Sequence, residues 1–190
     1  MIPSILQRAK DSGYQIFVDG DYNVNLVGVR SRTNKSNKFD DLLYCVFKQD
    51  GKWIEFKLPC TTDAGIHWLE NPSRPEGTAI LVAGQYRSVY KLDLHAGKYK
   101  ALCQRNGKVR VYRDSNRDEI LDRDPESVQS GYFGINIHRA TSKGDSHNVD
   151  KWSAGCQVLQ NSNDFDILIA ICKKSASIYS NKFTYTLLED

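Results

Sequence analysis

The stretch DLLYCVFKQDGKWIEFKLPC, residues 41–60, decides the fold that we expect for this chain. Its two halves are rich in aromatic and branched aliphatic residues, and they flank the tetrapeptide QDGK. An Asp-Gly pair between two such runs favours a tight turn, so the stretch predicts a β-hairpin. Runs of the same kind recur and predict further strands over residues 78–86, 89–94, 99–104, 108–114, 132–138 and 182–188.

Helical patterns are confined to the two ends of the chain. Near the N-terminus, Ser4 is the candidate cap of a short helix that Gly13 ends. Near the C-terminus, Asn163 is the candidate cap of a second helix, in which apolar residues recur at helical spacing. We therefore expect a mainly β, β-rich α+β fold, a sandwich or mixed-sheet architecture with short N-terminal and C-terminal helices.

The first 38 residues differ in pattern from the remainder. Residues 14–29 alternate apolar and polar residues around DGDYN and predict a hairpin, whereas residues 30–38 are basic and lack apolar residues. We therefore predict an N-terminal helix/hairpin appendage with a basic linker over residues 1–38, followed by the main domain over residues 39–190.

Charge and hydropathy exclude several classes of protein. The 26 Lys and Arg residues are dispersed and exceed the 23 Asp and Glu residues by only three, so we expect no nucleic-acid partner. No apolar run approaches the roughly 18 residues of a membrane span. The first 20 residues show no signal peptide, so we expect synthesis as a soluble cytoplasmic chain, acting as a monomer.

The five cysteines are an odd number at wide spacings and form no Cys-X-X-Cys pair. This argues against a disulfide scaffold and a structural metal site, and we expect neither a metal nor another cofactor. Four of them fall in apolar runs and are expected to be structural: Cys45, Cys60, Cys103 and Cys172.

Cys156 is different, because it follows a glycine in GINIHRATSKGDSHNVDKWSAGCQVL, residues 134–159. A catalytic thiol needs a base and backbone N–H groups that hold an oxyanion. His138, at the end of a predicted strand, is the candidate base. Gly155 allows a sharp backbone turn beside the nucleophile, and Ser153 can hydrogen-bond to the histidine or to its loop. A core cysteine beside an unrelated histidine is the alternative, and His147 in the intervening loop is a rival base.

The pattern IHRA…WSAGCQV resembles the active-site signature of L,D-transpeptidases of the YkuD type. The stretch FDDLLYCVFKQDGKWIEFKLPCTTDAG is similar to the opening hairpin of that family, and NPSRPEGTAILV is similar to its next segment. The resemblance covers about residues 39–160 in the same order and implies a YkuD-like mixed β-sandwich. Two positions depart from the pattern: Arg139 replaces a glycine, and Gln157-Val158 replaces an aliphatic-Arg pair, so substrate recognition is expected to differ.

This resemblance implies acyl transfer on peptidoglycan stem peptides through a Cys156 acyl-enzyme, ending in cross-linking or in hydrolysis. Arg139, Gln157, Trp152 and His67 are the candidate substrate-binding residues. A cell-wall enzyme without a visible signal peptide suggests delivery to the bacterial wall or periplasm, as a phage lysin, a virion enzyme or a secreted effector. The alternative is a catalytically inactive wall-binding or virion structural module on the same fold.

One acidic stretch has the spacing of a calcium loop. Asp114, Asn116, Asp118 and Asp122 occupy positions 1, 3, 5 and 9, but Glu119 replaces the glycine at position 6. The spacing leaves a calcium site and a solvated acidic turn as alternatives.

Overall fold

The computed structural model describes residues 1–190, and strands are its main elements. The strands are β1 (Asn25–Arg30), β2 (Asp41–Gln49), β3 (Lys52–Thr61), β4 (Thr78–Leu81), β5 (Gly84–His95), β6 (Tyr99–Gln104), β7 (Val109–Asp114), β8 (Gln129–Gly131), β9 (Ile137–Arg139), β10 (Gln157–Leu159) and β11 (Phe183–Glu189). The helices are α1 (Ser4–Asp11), α2 (Ile66–Glu70) and α3 (Ser162–Ile178), with a 3-10 turn at Pro125–Ser127. The expected mainly β fold class is confirmed, and no helix is both long and apolar enough to cross a membrane.

Eight of the strands close into a barrel in the order β1-β11-β5-β6-β9-β10-β3-β2, and β4, β7 and β8 form a separate three-stranded sheet. Two of the strand pairs in the barrel are parallel, β1 with β11 and β9 with β10, and the other pairs are antiparallel. The sequence predicted a sandwich or mixed sheets. The barrel closes because β1 bonds to β2 on one side and to β11 on the other.

The hairpin predicted from residues 41–60 is confirmed as β2 and β3. Gln49 pairs with Lys52 across a two-residue turn, and both turn residues, Asp50 and Gly51, have positive φ angles of 50° and 71°. A turn with two positive φ angles matches the right-handed twist of the strands that it joins. The Asp-Gly pair therefore fixes the register of this hairpin.

The predicted hairpin at residues 14–29 is wrong. Residues 14–24 contain no strand, and β1 pairs with β2 and with the distant β11. All six residues of β1 are buried, so this strand is covered on both faces. The alternation of apolar and polar residues had instead predicted one strand of a hairpin with an exposed face. The barrel consequently runs across the predicted boundary at residue 38.

Two other predicted strands differ in extent. The run over residues 78–86 divides into β4, which joins the small sheet, and the start of β5, which joins the barrel. The run over residues 132–138 contributes only its last two residues to the short strand β9. The ends of these strands depend on which strands they pair with, and the local sequence pattern does not indicate the partners.

Both helix caps differ from the prediction by a few residues. Ser4 is the first residue of α1 and makes no capping hydrogen bond, although Gly13 follows the helix with a φ of 84° as expected. In α3 the cap is Asn161, whose side-chain oxygen accepts hydrogen bonds from the N–H groups of Asn163 and Asp164. Asn161 therefore performs the role predicted for Asn163.

The main apolar core fills the barrel and extends to the buried side of α3, where Phe165, Leu168 and Cys172 belong to the same cluster. Helix α3 contacts three neighbouring strands of the barrel, β6, β9 and β10, and the last two of these lie next to His138 and Cys156. Helix α1 packs outside the barrel against β1, β2 and β11 in a separate small cluster. The site therefore rests on strands that α3 supports from the core.

Candidate active site

The parallel pair β9 and β10 places the two residues of the predicted dyad on adjacent segments. His138 lies opposite Val158 in this pair, and the N–H of Gln157 donates to the carbonyl oxygen of Asn136. Beyond the strand ends, the N–H of Asn136 donates to the Sγ atom of Cys156 at 3.4 Å. Because side chains alternate along a strand, Asn136 and His138 project to the same side of the sheet. His138 is thus a diagonal neighbour of Cys156, and no hydrogen bond joins the two side chains, because the thiol is bonded to the backbone of Gly134 and Asn136.

His138 is a buried imidazole with a defined tautomer. Its side chain is only 4% exposed, and its Nδ1 atom lies 2.9 Å from the carbonyl oxygen of Arg139. A carbonyl oxygen only accepts, so Nδ1 carries the proton and Nε2 retains its lone pair. Burial, followed by the nearby His95, lowers the pKa of His138 to about 3. The ring is therefore a neutral base whose orientation the backbone fixes.

His95 supports this ring from the end of β5. The two imidazoles stack with centroids 4.1 Å apart and planes 22° apart. The Nδ1 atom of His95 lies 3.0 Å from the side-chain nitrogen of Asn136, which donates to it, and burial lowers the pKa of His95. Two neutral imidazoles can stack at this distance, whereas protonation of both would place like charges in contact.

Cys156 is half-buried and its thiol is hydrogen-bonded on both sides. The Sγ atom donates to the carbonyl oxygen of Gly134 at 3.4 Å and accepts from the N–H of Asn136 at the same distance. Burial raises the pKa of the Cys156 thiol to about 11, although the Asn136 N–H opposes this shift. At neutral pH the dyad therefore rests as thiol and imidazole, and a reaction needs proton transfer to His138.

The loop before Cys156 is held by Ser153. Its hydroxyl donates to the carbonyl oxygen of Cys156 at 2.8 Å and accepts from the N–H of Gly155 at 3.2 Å. Ser153 is fully buried, and both of these hydrogen bonds are to its own loop and neither is to His138. Gly155 has a φ of 113°, and a Cβ atom there would collide with the carbonyl oxygen of Ala79. Only glycine fits this close approach of two backbones.

The same loop leaves one backbone donor free beside the nucleophile. The N–H of Gly155 is bonded to Ser153, whereas the N–H of Cys156 makes no hydrogen bond within the chain. A free N–H at the nucleophile is the group that would stabilise an oxyanion. Of the N–H groups of Gly155 and Cys156, only that of Cys156 is therefore available to an oxyanion in the resting structure.

Arg139 and Trp152 line the cleft in which His138 lies, a cavity of about 550 Å³. The Arg139 guanidinium lies 4.5 Å above the ring of Tyr99, and its Nη1 atom is 3.8 Å from a carboxylate oxygen of Asp166. Trp152 is 45% exposed. Lys98, Arg139 and Lys151 are the charged residues of this lining, so the cleft is cationic.

Gln157 and His67 lie outside this cleft. Gln157 is 1% exposed and points into the barrel, where its Oε1 atom accepts from the Tyr185 hydroxyl at 2.8 Å. Its amide nitrogen donates to the carbonyl oxygens of Thr62 and Gly155, so Gln157 supports the Cys156 loop from the core and does not face a substrate. His67 lies on α2, edge-on to Trp68.

Sequence reasoning missed three residues of the site: His95, Gln104 and Asn136. Gln104 accepts the N–H groups of three successive residues, 133 to 135, on its Oε1 atom and thereby holds the segment that contains Gly134. Asn136 had one available signal, because it is a polar residue two positions before His138 in an apolar run. His95 and Gln104 come from a distant hairpin and had none.

The acidic stretch from Asp114 to Asp122 forms a turn closed by its own hydrogen bonds. The side-chain nitrogen of Asn116 donates to Asp118 at 2.9 Å and to Asp122 at 2.7 Å. A donor thus occupies the place where a calcium loop needs an oxygen ligand. No group of three or more His, Cys, Asp or Glu side chains in the chain has a geometry that could hold a metal ion.

Comparison of the chain with models of protein families, with curated proteins and with solved structures finds no match. A fold alone does not determine a function, because unrelated functions share folds. The function is therefore inferred from the geometry around Cys156.

Proposed function

We propose that the protein is a cysteine-dependent acyltransferase or peptidase of the L,D-transpeptidase type that acts on peptidoglycan stem peptides in the bacterial cell wall. The observation that carries the proposal is the oriented base. His138 donates from Nδ1 to a backbone carbonyl and presents a free Nε2 on the strand next to Cys156. A nucleophile, a base and a group that orients the base are the signature of covalent catalysis.

In the first step, the Cys156 thiol transfers its proton to Nε2 of His138 as sulfur bonds to the carbonyl carbon of an L-centre in the stem peptide. The carbonyl oxygen becomes an oxyanion beside the N–H of Cys156. The C–N bond then breaks, and the departing D-amino acid takes the proton from His138. An acyl thioester on Cys156 remains.

In the second step, an amine or a water molecule attacks the thioester and gives a proton to His138. The C–S bond breaks, and the proton returns to the sulfur. An amine acceptor yields a cross-link, and water yields a shortened peptide. In the resting state His138 is neutral, so its Nε2 atom is free to accept the proton in each step, although a pKa of about 3 makes it a weak base beside a thiol whose pKa is about 11.

The cleft chemistry supports an anionic substrate. Its lining contains Lys98, Arg139 and Lys151 and no acidic residue. Stem peptides carry free carboxylates, which a cationic cleft attracts and orients. The proposal includes membership of the YkuD-type fold family, with the mixed β-sandwich of that family closed into a barrel here by β1.

A second candidate function is a wall-binding module without catalysis. It is favoured by one observation, the pKa of about 11 for a thiol engaged by both Gly134 and Asn136. An inert thiol held in this way would leave the cleft as a binding surface. Delivery by a phage or a secretion system is compatible with either function.

Mass spectrometry of purified peptidoglycan fragments tests the proposal. We expect the intact chain to remove a terminal D-amino acid or to form a new cross-link, and Cys156→Ala to do neither. His138→Gln should lower the rate by roughly 10²–10⁴-fold, the usual contribution of a general base. The matched control is His147→Gln in the intervening loop, which should retain activity. Fragments left unchanged by the intact chain would favour the binding module.

A further inference from the structure

The wall of the His138 cleft contains a second imidazole that takes no part in the proposed reaction. His95, the last residue of β5, lines this cleft together with His138. Its half-buried ring packs against two others, with centroid distances of 4.1 Å to His138 and 5.5 Å to Tyr99. The ring is therefore held in place before any ligand binds.

Asn136 determines which nitrogen of His95 carries the proton. The backbone N–H of Gln104 donates to Oδ1 of Asn136 at 2.9 Å, and this bond fixes the orientation of the buried amide. The amide nitrogen of Asn136 then faces Nδ1 of His95 at 3.0 Å. An amide nitrogen only donates, so Nδ1 of His95 holds a lone pair and Nε2 carries the proton.

The same contact opposes a positive charge on His95. Protonation would add an N–H group at Nδ1, directly against the N–H groups of the Asn136 amide. Burial, followed by the charges of Arg105 and Lys98, lowers the pKa of His95. His95 therefore remains neutral beside His138, and its only lone pair is occupied. It has one N–H group and no nitrogen that is free to act as a base.

The N–H group of His95 is open to the cleft. Nε2 makes no hydrogen bond within the chain, and it is not one of the buried side-chain atoms that lack a partner. It therefore retains accessible surface, on a residue that lines the cavity of about 550 Å³. The same reasoning applies to Nε2 of His138, whose tautomer is the opposite one. One ring thus offers a lone pair to a ligand, and the other offers an N–H group.

A neutral donor in a cationic cleft complements an uncharged oxygen. Carboxylates of a ligand would find three cations in the lining, Lys98, Arg139 and Lys151. A peptide carbonyl has no charge for these cations to attract, and it needs an oriented N–H donor. Because the ring of His95 is already fixed, it binds such an oxygen without the entropic cost of ordering a flexible side chain.

We propose that His95 is a substrate-binding residue that donates its Nε2–H to a carbonyl oxygen of the peptide in the His138 cleft. The inference rests on the proposed function for the identity of this peptide. Asn136 and Gln104 act through His95 as positioning residues, since they keep the proton on the nitrogen that faces the ligand. His138 remains the only base of the cleft.

Nitrogen-15 NMR of the histidine rings tests the inference, because it distinguishes a ring nitrogen that carries a proton from one that does not. In the full-length Cys156→Ala chain at pH 7, we expect the proton of His95 on Nε2 and that of His138 on Nδ1. Titration with a stem tetrapeptide should shift the Nε2–H signal of His95. A proton on Nδ1 of His95, or a tetrapeptide that does not bind or binds without this shift, would overturn the inference.

Calorimetric titration with the same tetrapeptide measures the contribution of the donor. His95→Phe in the Cys156→Ala chain keeps an aromatic ring without an N–H group, and we expect the affinity to fall about fivefold to tenfold. His95→Gln keeps a side-chain donor and should lose less. The control is His147→Phe, an exposed histidine outside the lining of the cleft, which should bind as the parent does. Equal affinity of His95→Phe and the parent would contradict the role of His95.

The NMR measurement leaves the ring of His95 in place, so the test stays valid if His95→Phe fails to fold. The two proposals also fail separately. The expected shift at His95, in a protein whose intact Cys156 turns over no stem peptide, would support the binding role and contradict the proposed chemistry. Turnover by the intact chain without the shift would support the chemistry and overturn the binding role.

Discussion

Two regions of this molecule bury titratable groups in opposite ways. At one end of the barrel, Arg30 is 1% exposed and its Nε atom lies 3.2 Å from Asp63, which also pairs with Arg123 at 3.0 Å. Around Cys156, in contrast, the groups are the buried imidazole of His138, the half-buried imidazole of His95 and the half-buried thiol, and none of them has a charged partner. The first region holds fixed charges that match one another, and the second holds neutral groups that are able to exchange a proton.

The difference between the two regions shows that burial has different consequences for paired charges and for neutral titratable groups. Buried charges are tolerated only when they are paired and hydrogen-bonded, and such pairs order a structure without taking part in proton transfer. Burial without a charged partner favours the neutral form of an imidazole or a thiol, which lowers the pKa of the first and raises that of the second. We therefore expect substitutions in the Arg30 network to change the stability of the fold. Around Cys156 we expect changes in the reactivity of the thiol.

The largest expected effect is on folding, at Arg30. Arg30→Met leaves the nearby Asp41 without its cation and Asp63 with Arg123 alone, so we expect the free energy of unfolding to fall by about 3–5 kcal/mol. Denaturant unfolding monitored by circular dichroism measures it. Arg8→Met is the control, because the exposed Arg8–Asp190 pair should contribute less than about 1 kcal/mol. Equal stability of the two variants would refute the assignment of Arg30 as a buried structural charge.

The second effect concerns the thiol. With a pKa of about 11, Cys156 should alkylate along a pH profile that still rises above pH 9. At pH 7.5 its thiolate fraction is roughly 300-fold below that of an ordinary cysteine, whose pKa is about 8.5. Iodoacetamide labelling followed by peptide mass spectrometry measures the rate at Cys156. An inflection below pH 8 would instead indicate a preformed thiolate and imidazolium, and the neutral dyad would be wrong.

The smallest effect is a pair of opposite pH dependences. For His138 the folded pKa of about 3 lies below the ordinary 6.5, so the unfolded chain binds the extra proton and stability is lost as the pH falls from 6.5 towards 3. For Asp41 burial, and then Asp63, raises the folded pKa to about 6, so its contribution is present below 3.8 and is lost as the pH rises through 6.

Between pH 4 and 6, His138 makes the free energy of unfolding rise with pH and Asp41 makes it fall. Each contribution changes by about 1 kcal/mol per pH unit. Unfolding curves of His138→Gln should therefore show stability that falls with pH relative to the intact chain, and those of Asp41→Asn should show stability that rises. Parallel curves for all three chains would mean that neither group titrates differently in the folded state.

Local sequence predicted those parts of the fold that depend on neighbouring residues. The hairpin at Asp50-Gly51 was predictable because its turn needs two positive φ angles that this pair adopts readily. The end of α1 near Gly13 was predictable for a similar reason. The pairing of strand β1 was not predictable. Its partner β11 lies some 160 residues away, and a parallel pair leaves no turn signal in the sequence.

The candidate site divides in the same way. The sequence by itself singled out His138 and Cys156 as the candidate dyad and predicted the need for glycine at position 155, because a nucleophile, a base and a sharp turn have recognisable residue types. Only the tertiary structure decided that Gln157 faces the core and that His95 and Asn136 lie beside His138 and Cys156. Those positions depend on strands and loops that meet across the barrel, and no local pattern records which distant residues will meet.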